Sequence, residues 1–364
     1  MNIAEKNPLI ILAAGGTGGH LFPAQALAEV LVARGYRIHL MTDERVRDYG
    51  KSFPAEQTHI VESASPSPKR PSSFLKLFRG YRAAKAIMKR ERPVAVIGFG
   101  GYPSFPPIYA AASLRIPTLV HEANSVLGRA NKMLAKKVNA VAGSFANTIG
   151  LPAHVKFAIT GNPVRAVVLA QSAAPYSKIK EQINLLVFGG SQGARAFSDL
   201  MPQVFAEMPE AVRSKIYLTQ QCRAEDIERV RAEYMALGMA CDLKAFFIDM
   251  PKRIASSHLV IGRSGASTIA ELGVIGRPAI LVPLPHALDN DQLRNAESFA
   301  AAGAGWLCPQ ATIKPQEFAA FIQRLLRDGA GLKRAAESAL NHGKPDAAER
   351  LADLVEKTLN TERL

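Results

Sequence analysis

Cysteine, tryptophan and long apolar runs are scarce in this 364-residue chain, which has three Cys and one Trp. The cysteines, Cys222, Cys241 and Cys308, are odd in number and far apart, which favours free thiols in a reducing compartment and fits no metal-ligand spacing. No run approaches about 18 apolar residues, and the opening MNIAEKNPLI lacks the pattern of a signal peptide. We therefore expect no transmembrane helix and a chain that stays in the cytoplasm.

Negative charge is scarce in one half of the chain. Residues 1–162 hold 21 of the 45 Lys and Arg residues but only 9 of the 31 Asp and Glu residues. A basic excess confined to one half indicates an anionic partner, either nucleic acid or a membrane surface, although a solvated surface without a partner is equally compatible. Because no nucleic-acid recognition motif is present, we expect no nucleic acid partner.

Short apolar strands alternate with helical patterns along the whole chain. This length allows two domains, and the alternation is typical of parallel sheets with crossover helices. The polar segment 170–182 precedes a fresh apolar strand and is predicted to mark a domain boundary. Strands are predicted at 8–13, 37–42, 57–61, 94–98, 117–121, 138–142, 183–188, 215–220, 243–247, 258–261, 279–282 and 304–308, and helices include 23–34, 74–91, 193–206, 223–237, 266–275, 290–302, 315–328 and 346–360.

Glycine-rich turns follow four of the predicted strands. GGTGG (15–19) and GGSQG (189–193) share a pattern, and GFGGYP (98–103) and GRSGAST (262–268) add two more turns. Glycine lets backbone N–H groups approach a ligand closely, and a helix N-terminus adds partial positive charge, so such turns can bind phosphate. Each turn taken alone is better explained as an ordinary tight connection between a strand and a helix. Their repetition in both halves predicts two doubly wound domains whose ligands bind beyond the strand ends.

Three enzyme classes compete for these turns. A dinucleotide site could use Asp43, but Leu21 stands where its third glycine is required. GGSQG matches a serine-hydrolase turn with Ser191 as the nucleophile and His286 or His342 as a partner, yet the threonine version in the first half is left unexplained. No P-loop sequence is present.

His20 ends the first glycine turn. At a helix N-terminus the protonated imidazole is disfavoured, so a neutral ring is expected near pH 7, as a general base requires. A capping or packing histidine is the alternative.

Seven motifs together resemble those of the MurG family of glycosyltransferases, in order and spacing. They are GGTGGH (15–20), GFGGYPSFP (98–106), HEANSVLGRANK (121–132), GNPVR (161–165), GGSQGAR (189–195), GRSGASTIAEL (262–272) and DNDQLRNA (289–296). The resemblance spans nearly the whole chain.

The resemblance implies a GT-B fold, an α/β architecture of two Rossmann-like domains with parallel sheets facing across a deep cleft. The first domain would comprise residues 1–164, on the acceptor and membrane side, joined by the C-terminal helix 346–364. Residues 165–345 would form the domain that binds the donor.

The family's reaction follows from the same resemblance. N-acetylglucosamine moves from UDP-N-acetylglucosamine (UDP-GlcNAc) to the C4 hydroxyl of the N-acetylmuramyl sugar of lipid I, with inversion, giving lipid II for peptidoglycan. No cofactor and no metal are implied, because glycine turns and helix N-termini can hold the leaving diphosphate. Alternatives are another glycolipid acceptor, a binding module without catalysis, or, least favoured, the serine hydrolase.

Site residues are carried over from the family by position. His20 matches the general base, and Glu122 is a second candidate. The residues matching donor contacts are Thr17, Gly18, Gly19, Asn124, Arg165, Ser191, Ile248, Ala266, Ser267, Thr268, Ile269, Ala270, Glu271 and Gln292.

Roles come with these positions. Asn124 and Gln292 match residues that contact the transferred sugar, and Arg165 and Ser191 match groups near the nucleotide and diphosphate. The backbone of Ile248 matches the uracil contact.

The loop and helix start at 266–271 would lie beneath the nucleotide, with Glu271 accepting from both ribose hydroxyls. Many relatives have two glutamines where this chain has Asp291 and Gln292, so the sugar contact could shift by one position. DND (289–291) also spells a metal-binding D-x-D, which we interpret as helix capping.

The basic excess is concentrated in residues 69–92, which hold nine Lys and Arg residues and one acid. Apolar residues recur between them at helical spacing, which predicts a surface that enters the headgroups of an anionic membrane, although Leu77, Tyr81 and Met88 could simply face the core. The predicted membrane contacts are Phe74, Leu75, Lys76, Phe78 and Arg79. A peripheral location on the cytoplasmic face of the bacterial plasma membrane is implied, with possible contacts to other cell-wall synthesis proteins.

Overall fold

The structure, a computed structural model, describes residues 7–15, 18–46, 53–66, 69–172, 174–285 and 287–361, without the side chains of Val46, residues 191–194 and Leu288. The chain divides into two compact units. Unit 1 comprises Met1–Arg165 and Lys344–Leu364, and unit 2 comprises Ala166–Gly343. The boundaries drawn from the sequence fall after residues 164 and 345.

Each unit is built on one parallel sheet. In unit 1 the strand order is β3-β2-β1-β4-β5-β6-β7, and in unit 2 it is β10-β9-β8-β11-β12-β13. All neighbouring strands in these described sheets run parallel. The strands are β1 (Leu9–Ala13), β2 (Arg37–Thr42), β3 (Gln57–Ile60), β4 (Ala95–Gly98), β5 (Thr118–Glu122), β6 (Ala140–Gly143), β7 (Phe157–Ile159), β8 (Ile183–Phe188), β9 (Ile216–Gln221), β10 (Ala240–Lys244), β11 (Leu259–Gly262), β12 (Ala279–Leu281) and β13 (Gly305–Leu307).

Helices connect most successive strands and cover the sheets, although no α-helix is described between β2 and β3 or between β6 and β7. Central strands such as β1 and β11 are buried along their whole length, as is typical of parallel strands covered on both faces. The α/β prediction of two Rossmann-like domains is confirmed. The helices are α1 (Gly18–Ala33), α2 (Ser72–Glu91), α3 (Gly101–Ser113), α4 (Arg129–Leu134), α5 (Ala166–Leu169), α6 (Gly190–Ala206), α7 (Glu210–Arg213), α8 (Ile227–Ala236), α9 (Met250–Ser256), α10 (Ala266–Ile275), α11 (Asp291–Ala301), α12 (Pro315–Arg327), α13 (Gly329–His342) and α14 (Ala347–Thr361).

The C-terminal helix α14 belongs to unit 1. Its Leu351, Val355 and Leu359 join the core that contains strand β1 and helix α1. Arg34, at the end of α1, forms ion pairs with Glu349, Asp353 and Glu356 of α14. The apolar contact therefore holds helix α14 on unit 1, and the ion pairs to Arg34 lie at the edge of this contact.

The predicted boundary segment 170–182 lies inside unit 2, so that prediction is wrong. The buried guanidinium of Arg277 donates to the carbonyls of Ala174 and Pro175 at 3.2 and 3.1 Å. It also lies 5.7 Å from the ring centroid of Tyr176, whose hydroxyl donates to the His258 carbonyl. A polar, proline-containing segment is thus fixed to unit 2 by a residue about a hundred positions later.

Two predicted elements that bear on the site need correction. Helix α1 begins at Gly18, not at residue 23, because the glycine turn itself forms the first helical turn. Strand β10 ends at Lys244, so residues 245–248 form a loop at its carboxyl end instead of a strand. No helix in the described part of the chain is long and apolar enough to cross a membrane.

Candidate active site

The first glycine turn connects β1 to α1. A Cβ at Gly15 would lie 2.9 Å from Thr42 Oγ1 and 3.0 Å from Pro103 Cβ, so a larger residue would force these neighbours apart. Two of the turn's residues, Gly16 and the candidate donor contact Thr17, lie outside the described residues. Gly18 and Gly19 open the helix, with Gly19 exposed.

The imidazole of His20 lies in the first turn of α1 and is partly buried. Its Nδ1 is 3.3 Å from the Gly15 carbonyl oxygen, which can only accept, so Nδ1 is the donor. In the neutral ring the lone pair is then on Nε2.

Gly100 and Gly101 form the floor beneath this ring. A Cβ at either position would come within 3.2–3.4 Å of imidazole atoms, and both residues have positive φ angles, of 86° and 69°. The glycines of the GFGGYP turn (98–103) therefore leave space for the His20 ring, which the sequence alone did not indicate.

Glu122, the second candidate base, is buried at the end of β5 and fully hydrogen-bonded. Its Oε1 accepts from the Asn124 backbone N–H at 3.0 Å and from the Asn124 amide at 3.3 Å. Its Oε2 accepts from Gly128 N–H at 2.8 Å and Asn131 Nδ2 at 2.9 Å. Burial raises the pKa of this carboxyl, and the four donors oppose that shift. This arrangement is typical of a carboxylate that shapes a loop.

His121, beside it, is also buried. Its Nε2 donates to the Gly161 carbonyl at 2.9 Å, and burial lowers the pKa of the imidazole to about 4. This hydrogen bond connects the segment that begins with HEAN (121–132, the HEAN loop) to the GNPVR segment (161–165).

Arg165 ends that segment and stacks on α1. Its guanidinium carbon lies 3.9 Å from the ring centroid of Phe22, two residues after His20. Unit 1 therefore brings the first glycine turn, the HEAN loop and GNPVR together.

Unit 2 holds the remaining candidates at the carboxyl ends of its strands. Gly190, with a φ of 65°, opens α6, and its N–H donates to Gln221 Oε1 at 2.9 Å. Gln221 Nε2 in turn donates to the Ala245 carbonyl, which links this turn to the loop after β10. The side chain of Ser191 lies outside the described residues. In the linked loop, Ile248 is 91% exposed.

Helix α10 begins at the candidate nucleotide loop, with Gly265 before its first residue. Ala266, Ser267, Thr268, Ala270 and Glu271 are partly exposed. Ile269 differs, because its side chain is buried and its N–H donates to the Gly265 carbonyl. The side chain and the backbone N–H of Ile269 are therefore both engaged within the protein, which argues against Ile269 as a donor contact.

Gln292 lies in the first turn of α11. Its Oε1 accepts from Leu284 N–H at 2.9 Å, and its carbonyl accepts from Ser264 Oγ at 2.7 Å. The amide is therefore oriented by the loop before it.

The D-x-D segment lies just before this helix. Asp289 and Asn290 both have a φ of 56°, and Asp291 Oδ1 accepts from Gln292 N–H. No group of three or more His, Cys, Asp or Glu residues that could hold a metal occurs in the described ranges.

Arg263 is a further candidate residue, which could not be singled out from the sequence. It is 5% exposed, lies three residues before the start of α10, and its Nη1 donates to the carbonyls of Val282 and Pro283 at 3.0 and 3.1 Å. Nη2 donates to Gln310 Oε1, and the guanidinium lies over the Phe197 ring at 5.0 Å. Burial lowers its pKa to about 10, so the group stays charged at neutral pH. The only signal in the sequence was an arginine inside a glycine turn.

The basic segment 69–92 contains helix α2. Phe74, Leu75 and Phe78 are 49–55% exposed, whereas Met88 is buried and Leu77 and Tyr81 are partly buried. Lys76 and Arg79 are exposed. The helix thus presents an apolar ridge next to basic side chains.

Comparisons with known proteins address this arrangement. Residues 10–143 match the glycosyltransferase family 28 N-terminal domain, and residues 184–351 match the glycosyltransferase family 28 C-terminal domain. A relative from Mesorhizobium japonicum is 50% identical over 354 residues, which cover 96% of this chain and 94% of the relative. It is named UDP-N-acetylglucosamine–N-acetylmuramyl-(pentapeptide) pyrophosphoryl-undecaprenol N-acetylglucosamine transferase. The chain belongs to the MurG family.

Other MurG-family comparisons agree. A relative of the same name from Brucella abortus is 47% identical over 98% of this chain and 95% of its own length. The crystal structure of Acinetobacter baumannii MurG matches with a TM-score of 0.79 and 28% identity, covering 96% of this chain and 99% of that one. A Neisseria meningitidis UDP-GlcNAc 2-epimerase, at 12% identity and a TM-score of 0.68, shares the fold. Because the chain belongs to this family, the alternatives of a dinucleotide-binding enzyme and a serine hydrolase are rejected.

Proposed function

We propose that this chain transfers N-acetylglucosamine from UDP-GlcNAc to the C4 hydroxyl of the N-acetylmuramyl sugar of lipid I, forming lipid II with inversion. The observation that carries this proposal is 50% identity across nearly the whole length of a relative named for this transfer. Unit 1 would bind the acceptor, and unit 2 would bind the donor.

His20 is the proposed general base. The acceptor oxygen attacks the anomeric carbon, the bond from that carbon to the diphosphate oxygen breaks, and the acceptor proton passes to His20 Nε2. The Gly15 carbonyl supports this role because its contact with Nδ1 puts the lone pair on Nε2. UDP leaves with the negative charge.

Glu122 is better explained as a positioning residue than as the base. Four N–H donors occupy its two oxygens, so proton abstraction would have to break contacts that hold the HEAN loop. Among these donors is the amide of Asn124, the proposed sugar contact.

The leaving diphosphate would be stabilised by unit 2. The N-terminus of α10 would supply backbone N–H groups and partial positive charge, and Arg263, three residues before this helix, would add a full charge held by carbonyl oxygens. We propose the same task for Arg165, Ser191 and the glycine turn with Thr17, Gly18 and Gly19.

The remaining donor contacts are proposals from family position. Exposed Ile248 would present its backbone to uracil, Glu271 would accept from the ribose hydroxyls, and Gln292, with its oxygen already used by Leu284, would offer Nε2 to the sugar.

We also propose that helix α2 docks on the cytoplasmic face of the plasma membrane through Phe74, Leu75 and Phe78. Tyr109 of α3, which packs against α2, and Lys137, in the segment after α4, form a second pair of aromatic and basic groups. The Lys137 ammonium lies 5.3 Å from the Tyr109 ring centroid. A lipid-linked acceptor requires such a location.

The decisive experiment measures labelled sugar transfer from UDP-GlcNAc to a short-chain lipid I analogue. Transfer that forms a β-linked disaccharide supports the proposal. Other glycolipids serve as control acceptors, and a faster reaction with one of them would replace lipid I as the substrate. No transfer to any acceptor would reject the function.

A further inference from the structure

Helix α2 forms one wall of a cavity that reaches His20. The cavity has a volume of about 790 Å³, within the usual range of small-molecule sites. Gly15, His20 and Gly101 line one part, and Lys76 and Arg79 line another. All of these residues belong to unit 1.

Close packing at Gly80 fixes this wall. A Cβ at residue 80 would overlap the Glu62 carbonyl oxygen and approach Pro106 Cγ at 3.3 Å. The helix therefore lies directly against the segment 60–65, which lines the cavity together with residues of the first glycine turn.

The two basic side chains have no counter-charge of their own. In the part of the chain that the structure describes, neither Lys76 nor Arg79 forms an ion pair, whereas Arg45, also at the cavity, pairs with Asp43. Residues three apart on a helix are neighbours on one face, so both side chains can meet a single ligand. Glu44 and Glu62 also line the cavity, and their negative charge disfavours an anion beside them.

Resting on the proposed function, we propose that Lys76 and Arg79 bind the diphosphate of the acceptor inside this cavity. The sequence assigned both residues to the membrane, whereas in the structure both line the cavity that His20 also lines. The apolar ridge of Phe74, Leu75 and Phe78 is adjacent on the same helix. One helix would then receive the two parts of one acceptor, with its lipid at the ridge and its diphosphate at the cavity.

The test compares two double variants of α2 with equal loss of charge. Lys76→Gln with Arg79→Gln removes the cavity cations, and Arg82→Gln with Lys89→Gln removes two exposed cations that do not line the cavity. With a water-soluble, short-chain acceptor, the first variant should raise the acceptor KM by about tenfold or more, because charged hydrogen bonds are lost. Its KM for UDP-GlcNAc should stay within about twofold of wild type, which also shows that it folds. The control variant should leave both values unchanged.

A second acceptor, with one phosphate in place of the diphosphate, makes the assignment specific. Wild type should lose affinity for it, and the Lys76→Gln, Arg79→Gln variant should lose less, because the contact is already absent.

Phosphate in membrane headgroups is the competing source of the same chemistry. If the first variant loses binding to phosphatidylglycerol vesicles but keeps the acceptor KM of the control variant, the inference is overturned. The proposed function stands in that case, since its own failure appears as absent transfer by wild type.

Discussion

Unit 1 buries His39, His121 and Glu122, whereas unit 2 buries Arg263 and Arg277. In unit 1, burial shifts each pKa towards the uncharged form, downward for the two imidazoles and upward for the carboxyl. Among the described residues of unit 1 no lysine or arginine is buried, so its excess of positive charge lies on surfaces such as α2.

Unit 2 treats its buried groups differently. Burial lowers the pKa of both guanidinium groups, but a pKa of about 10 for Arg263 still leaves that group charged. Among the described residues, both arginines donate to backbone carbonyls and not to carboxylates, and Arg263 also donates to the amide oxygen of Gln310. The positive charge of Arg263 is therefore not cancelled locally.

This difference fits two chemical tasks. A group that must take up a proton works best in surroundings that favour the neutral ring, whereas a leaving diphosphate is stabilised by permanent positive charge in place before the reaction. Substitution of His20 in unit 1 should therefore mainly change turnover, and substitution of Glu271 in unit 2 should mainly change donor affinity.

The largest expected effect is on turnover in unit 1. His20→Ala should lower kcat by about a hundredfold or more, because the acceptor proton loses its base, while UDP affinity stays near wild type. Steady-state kinetics and calorimetry with UDP measure the two quantities. His154→Asn, at an exposed position with a positive φ, is the control. Unchanged turnover in His20→Ala would remove the residue from the mechanism.

The next effect is on the stability of unit 2. Arg277→Met should lower the free energy of unfolding by about 3 kcal/mol, because the buried contacts to the carbonyls of Ile275 and Gly276 and the partly buried ones to Ala174, Pro175 and Ala255 lose their donor. Exposed Arg327→Met should change it by less than about 0.5 kcal/mol. Denaturant titration followed by hydrogen exchange locates the loss, and equal stability of the two variants would contradict this account.

Acid should weaken unit 1 through His121. Its imidazole takes up a proton near pH 4 when folded but near pH 6.5 when unfolded, so the unfolded state binds more protons in this interval. Stability should fall as pH is lowered, by about 2 kcal/mol between pH 7 and 5 from this group. Glu122, with its raised pKa, contributes the opposite slope.

The variant His121→Gln isolates the imidazole from other groups. Its unfolding free energy should depend less steeply on pH than that of wild type between about pH 7 and 5. Parallel curves for the two proteins would show that His121 does not control acid sensitivity.

Donor affinity should respond in unit 2. Glu271→Ala should raise the Kd for UDP by about tenfold, because two ribose hydroxyls lose a charged acceptor. Glu317→Ala, at a surface ion pair with Lys314, is the matched control. Calorimetric affinity equal to wild type would exclude Glu271 from the nucleotide site.

The smallest effect concerns the apolar ridge. Phe74→Ser with Phe78→Ser should reduce binding to anionic vesicles by about fivefold, and wild-type binding should decline as salt rises. Phe246→Ser changes an exposed phenylalanine of unit 2 and should leave binding intact. Equal pelleting with neutral vesicles would contradict the electrostatic part of the docking proposal.

Most strands could be predicted because they are short apolar runs ended by glycine turns, and β8 and α10 match their predicted bounds. Helix α3 was missing from the prediction, since its sequence GYPSFPPIYAAAS contains Pro103, Pro106 and Pro107. Its core contacts, among them buried Ile108, outweigh the helix-breaking tendency of these residues. Helix α13 was also missing from the prediction, because Gly329 and Gly331 at its start have a low helix propensity.

The parts of the candidate site that are formed by the backbone could be predicted from the sequence. Glycine turns and the start of α10 are visible as residue patterns, and His20 follows one of them directly. Arg263, Gln221 and the floor formed by Gly100 and Gly101 were not predictable, since each acts on a partner far away in the chain.

The amino-acid sequence by itself determined the alternation of strands and helices and the positions of the glycine turns, because both depend on local periodicity and on backbone angles that glycine permits. Only the tertiary structure decided that the Gly15 carbonyl meets His20 Nδ1, that Glu122 is enclosed by four N–H donors, and that Lys76 and Arg79 share a cavity with His20. Side-chain direction and burial control these contacts, and both arise from packing between elements distant in sequence.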